Sequence, residues 1–261
     1  MSAFLSSVQT GTPSVGQRIV ISGTEKIGKT TLACGAPNAL LVPTEIGYGA
    51  MTIPKIPHVI QWWEHVLQAC EEFIQACQTR QFPFSTIVWD SASSIERLIH
   101  DFTLRQDPQY MKNNKRALTM EAALGGYGKA YQFSNEQFVK LLNYFDILAI
   151  QYGINIVITC HVFAARVVDP TSGEYDTWDL LLHSPKNNKN YGKREILTQW
   201  ADMVAFMYEP YHVIVNDKQQ ISRAVTQNRG RVIGVDRTPY YVAGNRYGIG
   251  GEINIPSPPY T

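Results

Sequence analysis

The stretch RIVISGTEKIGKTTLAC, Arg18 to Cys34, constrains the fold more than any other part of the chain. A β-branched run stops at Gly23, two glycines bracket a polar loop, and helix-compatible residues resume at Thr30. Strand, loop and helix in that order are the setting in which GxxxxGK[ST] holds a phosphate, and Gly23-Thr24-Glu25-Lys26-Ile27-Gly28-Lys29-Thr30 fits it at every fixed position. The glycines let successive N–H groups turn inward, and the helix start adds its positive dipole end. Lys29 is expected at the β- and γ-phosphates, and the Thr30 hydroxyl on a Mg²⁺ ion, which prefers oxygen ligands. The bland alternative is a chance glycine turn before a helix.

The rest of the chain extends the same alternation. Residues 39–42 (ALLV), 86–89 (TIVW, ending in Asp90) and 154–159 (INIVIT) read as buried strands. Between them, 62–79 and 91–104 carry helical periodicity, and 134–151 is strongly amphipathic, with Ser134 as its expected cap and Gln137 three residues on. Residues 105–130 read as a polar, glycine-containing excursion and 166–194 as a long polar segment. Segments 203–208, 211–215, 221–226 and 231–235 read as later strands, some antiparallel. Buried strands alternating with helices predict an α/β fold with a mostly parallel central sheet covered on both faces. The expected organisation is an arm over 1–17, one domain over 18–250, and a Pro-rich tail over 251–261.

Two carboxylates fall where phosphate chemistry needs them. Asp90 closes the third buried strand, the usual place for a metal-linked carboxylate; it can equally cap the helix that follows, and both roles are compatible. Glu45 follows ALLVPT at the carboxyl end of the second strand, where ligands gather in open α/β sheets, and is the candidate to orient an attacking water. Its alternative is a solvated loop acid. His161 ends INIVITCH at the same edge, either as a γ-phosphate sensor or as a satisfied core residue.

Bulk properties exclude other classes. The 261 residues hold 23 Lys and Arg against 22 Asp and Glu, so attraction to nucleic acid must come from local patches. Neither a membrane-spanning run nor a signal peptide is evident, which predicts a soluble cytoplasmic protein without a membrane partner. Cys34, Cys70, Cys77 and Cys160 form no CxxC pair and read as reduced and structural.

With the phosphate loop, Glu45, Asp90 and His161 in this order, the chain resembles P-loop NTPases with a RecA-like core. GGYGKAYQFSNEQFVKLLNYFDILAIQYGINIVITCH and GEYDTWDLLLHSPKNNKNYGKREILTQWADMVAF further resemble bacteriophage RecA-like nucleotide-binding proteins of single-strand-annealing recombination. The likeness runs from about Arg18 to GNRYGIG. It implies ATP and Mg²⁺ as cofactors, a phosphate loop through Thr31, Glu45 activating water, Asp90 linked to Mg²⁺ and His161 as a coupling residue. It also implies a ring or filament with ATP at subunit junctions, a phage single-strand-binding protein as partner, and a bacterial host cytoplasm as location. Arg229 and Arg246 are the candidates to act in trans on a neighbour's ATP. Gly244 stands where a Lys before NRY is the expectation.

Single-strand binders combine a cationic groove with aromatic platforms. Two segments have that character: Lys112, Lys115 and Arg116 near Tyr110, and Lys186, Lys189, Lys193 and Arg194 around Tyr191. In a RecA-like core such loops face single-stranded DNA; otherwise they are solvated surface. Three functions remain open on sequence: a recombination ATPase on single-stranded DNA, a packaging-motor or helicase-loader ATPase, and a nucleotide-responsive scaffold with little turnover.

Overall fold

The computed structural model describes residues 7–8, 10, 15–49, 51–108, 119–171, 173–185, 192–215, 221–226 and 230–255. The central sheet has the order β12-β10-β7-β1-β4-β3-β2, with β11 also pairing β7. Its parallel part comprises β1 (Arg18–Gly23), β2 (Ala39–Pro43), β3 (Thr86–Asp90), β4 (Asn155–Cys160) and β7 (Met203–Tyr208). Beyond β7 the pairing turns antiparallel through β10 (Arg231–Gly234), β11 (Gly244–Asn245) and β12 (Glu252–Ile255). β12 therefore lies inside the segment expected to be a tail, because EINI pairs with RVIG and extends the sheet.

Period-two alternation sends neighbouring strand residues to opposite faces. Ile87 and Trp89 of β3 and Ile156 and Ile158 of β4 enter the larger core, whereas Val88 and Val157 enter the smaller. The larger core is closed by α2 (Trp63–Gln78), α3 (Ala92–Arg105), α4 (Lys129–Asp146) and α5 (Lys193–Trp200). On the opposite face the helical cover is α1 (Lys29–Cys34), six residues long, whose Ala33 meets Ile21, Val88 and Val157. Each strand of the parallel part places apolar side chains on both faces, as a sheet covered on both sides requires.

Two expectations need correction. α4 starts at Lys129 behind Gly128 (φ 77°), so Ser134 does not cap it; Ser134 is buried within the helix, which continues as a π-turn over 147–151. The polar segment after β4 forms an antiparallel hairpin, β5 (Val162–Asp169) with β6 (Gly173–Leu180), whose residues are mostly exposed or half-buried and therefore lack a long apolar run. The excursion before α4 contains a 3₁₀ turn, Ala123–Gly125. The last hairpin, β8 (Tyr211–Val215) with β9 (Ile221–Thr226), stands outside the main sheet.

At the amino ends of β1 and β7, Arg18 bonds both carboxylate oxygens of Asp202 (3.0 and 2.7 Å) and also Asp146 (3.0 Å), joining two strands to the end of α4. Just before β1, the Gly16 N–H donates to the Ala149 carbonyl at 2.8 Å, and a Cβ on Gly16 would lie 2.0 Å from the Ile154 carbonyl oxygen. Backbone on both sides cannot give way. Gly16→Ala is expected to cost about 2 kcal/mol or more, read as a lowered urea midpoint at unchanged m-value.

Candidate active site

The parallel strands bring the predicted residues to one edge. β4 lies between β1 and β3, so the carboxyl ends of the three strands place the phosphate loop, His161 and Asp90 side by side. Gly23 opens the loop at φ 154°, where a Cβ would lie 2.4 Å from the Met207 carbonyl oxygen, and Gly28 (φ 102°) ends it in the left-handed region that favours glycine. Lys29 is buried and folds back on the loop, donating to the carbonyls of Gly23 (2.9 Å) and Thr24 (2.8 Å). Burial pushes its ammonium pKa down, against the nearby charge of Asp90.

Asp90 is 3 % exposed. Its Oδ2 accepts from the Thr30 hydroxyl at 2.9 Å, and its Oδ1 accepts a short bond from the Thr159 hydroxyl. Burial raises the Asp90 pKa, and the two hydroxyls partly offset that rise. The helix-cap alternative goes to Ser91, whose Oγ accepts from the Ser94 N–H at 3.3 Å. Thr30 and Asp90 form an all-oxygen pair that fits Mg²⁺. Among the described residues no group of three or more His, Cys, Asp or Glu could hold a metal, so the remaining ligands would come from phosphate and water.

Glu45 and His161 meet, with the His161 Nε2–H donating to Glu45 Oε1 at 2.9 Å. That donor assignment follows from the carboxylate, which only accepts when ionised. Burial opposes the charge on Glu45, but the His161 bond and the charges of His161 and Arg97 outweigh it and hold the carboxyl below its usual range. Sequence reasoning missed several members of this site. Thr159 was visible as a buried hydroxyl in an otherwise apolar strand. Thr44 had no such signal; its N–H and hydroxyl both donate to the Asp90 carbonyl (2.7 and 2.9 Å). Arg97, on α3, approaches Glu45 Oε2 at 3.5 Å.

The remaining described candidates, Arg246, Lys193 and Arg194, are not brought to this edge. Arg246 sits at the amino end of β7, roughly 16 Å from the phosphate loop by strand rise, and bonds Asp202 Oδ1 (2.9 Å) and the Gln199 carbonyl (2.6 Å). Lys193, expected to face DNA, is fully buried beside Glu96 (3.5 Å), His100 Nε2 (3.3 Å) and Asn135 (3.4 Å). Burial lowers its pKa to about 8 and that of His100 to about 3. Lys193 is a core cation, and solvated phosphate cannot reach it there. Arg194 is half-buried and ion-paired with Asp179 and Glu195. Arg229, Lys112, Lys115, Arg116, Lys186 and Lys189 lie outside the described residues.

A phosphate loop after the first strand, a buried carboxylate bonded to its threonine and a second carboxylate at the same sheet edge define a nucleotide-phosphate site on an α/β fold. The family model described as an AAA domain matches residues 15–247, and the chain belongs to that family. Membership places it among nucleotide-binding ATPases. No curated protein matches the chain. Among the described residues no helix is long and apolar enough to cross a membrane.

The buried Lys193 has a measurable consequence. Lys193→Met leaves the Glu96 carboxylate buried without its cation and is expected to cost roughly 3 kcal/mol. Glu96→Gln in the same chain should restore most of it, because the amide oxygen still accepts from the His183 N–H, now bonded at 2.9 Å. Denaturant unfolding of the two variants checks this.

Proposed function

We propose that this chain is a RecA-like phage ATPase that binds and hydrolyses ATP with Mg²⁺ and works on single-stranded DNA in recombination. The hydrolytic part is supported above all by one observation: Thr30–Asp90 and Glu45–His161 stand on neighbouring strand ends beside the phosphate loop. In this reading Lys29 leaves its loop carbonyls for the β- and γ-phosphates. Thr30 and Asp90 hold Mg²⁺, which supplies charge neutralisation at the phosphate oxygens. Glu45 takes the proton of the attacking water, and His161 keeps the carboxylate aimed through Oε1. The insertion of β4 between β1 and β3 supports the RecA-like reading, since it lets a residue after β4 reach the base.

The single-stranded DNA part is supported by the sequence pattern of Lys112, Lys115 and Arg116 near Tyr110 and of Lys186 and Lys189 near Tyr191, and by the resemblance of the flanking motifs. Self-association with ATP at subunit junctions, and a phage single-strand-binding protein as partner, belong to the same reading. A second reading, a nucleotide-responsive scaffold with slow turnover, is favoured by Arg246, whose guanidinium bonds Asp202 and the Gln199 carbonyl within its own chain.

Turnover measured with and without single-stranded DNA separates these readings: stimulation by DNA supports the recombination ATPase, and tight ATP binding with negligible turnover in both supports the scaffold. Lys29→Ala should abolish most ATP affinity in calorimetry. Glu45→Gln should retain ATP while turnover falls by about 10²-fold or more, since the amide cannot accept the proton. Unchanged turnover in that variant would move the base elsewhere.

A further inference from the structure

The first two turns of α3 grip both members of the catalytic pair. The Ser94 hydroxyl donates to the carbonyl of Thr44, the residue before Glu45, at 2.7 Å. The Ser93 hydroxyl accepts from the His161 N–H at 3.2 Å. Arg97 stands three and four residues further on, on the same helix face, and its guanidinium is 3.5 Å from Glu45 Oε2. The Glu45 carboxylate is thus held at one oxygen by His161 and approached at the other by Arg97. The two contacts differ in kind. His161 follows a buried strand and is fixed by Ser93, whereas the Arg97 side chain is 69 % exposed and can move aside.

We propose that Arg97 is a positioning residue for hydrolysis: from within the same chain it holds the second oxygen of Glu45 and keeps the carboxylate oriented, then yields that oxygen to the attacking water. This inference rests on the reading of Glu45 as the base. It gives an arginine in cis a task separate from that expected of Arg229 and Arg246, which is to act in trans on a neighbour's ATP. Four charged or titratable groups face Glu45 from the elements around it: His161 after β4, Arg97 on α3, Asp90 at the end of β3 and Lys29 on α1. Asp90 repels the ionised carboxylate, while the cations favour it. Arg97 is the most exposed of the set, so it can be changed without disturbing the core.

The test uses the full chain with ATP and Mg²⁺. Arg97→Ala should lower kcat about tenfold with KM nearly unchanged, and the acid limb of kcat/KM should move to higher pH because Glu45 loses a neighbouring cation. Arg97→Lys should return the limb toward its original position, since the charge is restored even though the fork geometry is not. Wild-type kcat and pH profile in Arg97→Ala would overturn the proposal, as would a Lys variant no closer to wild type than the Ala variant. A second measurement does not depend on turnover. Carboxyl ¹³C titration of Glu45 in the nucleotide-free chain, assigned with Glu45→Gln, should show a higher pKa in Arg97→Ala, and an unchanged titration overturns the proposal. If Arg97→Ala moves the titration while Glu45→Gln turns over normally, the base has been misassigned and the Arg97 contact stands as electrostatics alone, which also overturns the positioning role.

Discussion

The site depends on keeping one buried carboxylate in place. Asp90 lies at the end of an apolar strand, where water cannot reach it freely, and an ion in such a place needs hydrogen bonds to remain tolerable. The fold supplies them from both sides: Thr30 at the start of α1 and Thr159 near the end of β4 each give a hydroxyl to a different oxygen. Thr44 bonds the Asp90 main-chain carbonyl, and its own carbonyl receives Ser94. Glu45 therefore inherits its position from the same hydroxyl network that steadies Asp90. Thr44 is the link between the two carboxylates, since its hydroxyl and N–H bond the Asp90 carbonyl while it directly precedes Glu45.

The two faces of the sheet share this work unevenly. The α2, α3, α4 and α5 face contains Trp63, Trp89, Phe138 and Phe145, all essentially inaccessible, and provides most of the apolar burial that stabilises the fold. The α1 face is thinner, and its short helix serves chiefly to carry Lys29 and Thr30 to the edge. A heavy face thus anchors the strands while the light face carries the loop that fits the phosphate pattern. The Glu96–Lys193 pair lies on the heavy side, joining α3 to α5 through charge where apolar packing would have served.

Much of this was legible in the chain. The buried strands β1 to β4 announced themselves as short β-branched runs between breakers, and the phosphate loop, Asp90, Glu45 and His161 followed from where those runs end. What stayed hidden had physical reasons. The β5–β6 hairpin is mostly solvated, so its side chains need not be apolar, and Arg166 facing Asp176 across the pair reads in sequence as loop polarity. Ser134 looked like a cap because it precedes an apolar run, but glycines at 125, 126 and 128, all with positive φ, turn the chain earlier and start the helix at Lys129. Lys193 looked like a surface lysine because burial of a cation leaves no mark in sequence; only Glu96, nearly a hundred residues earlier, explains it. Arg97 was invisible for the same reason, as its partner is set by tertiary contact.

The Arg18–Asp202 contact acts far from its own location. β1 and β7 run parallel in a register that sets Ile19 against Met203 and Gly23 against Met207. Slipping β7 by one residue would separate the two-pronged contact at the lower end and turn every β7 side chain to the opposite face. At the upper end the same slip would shift the carbonyl that leaves no room for a side chain on Gly23. An ion pair at the floor of the sheet thus serves as a gauge block for its rim: the height at which the phosphate loop leaves β1 is measured from the opposite end of the strand, by groups that never meet the nucleotide.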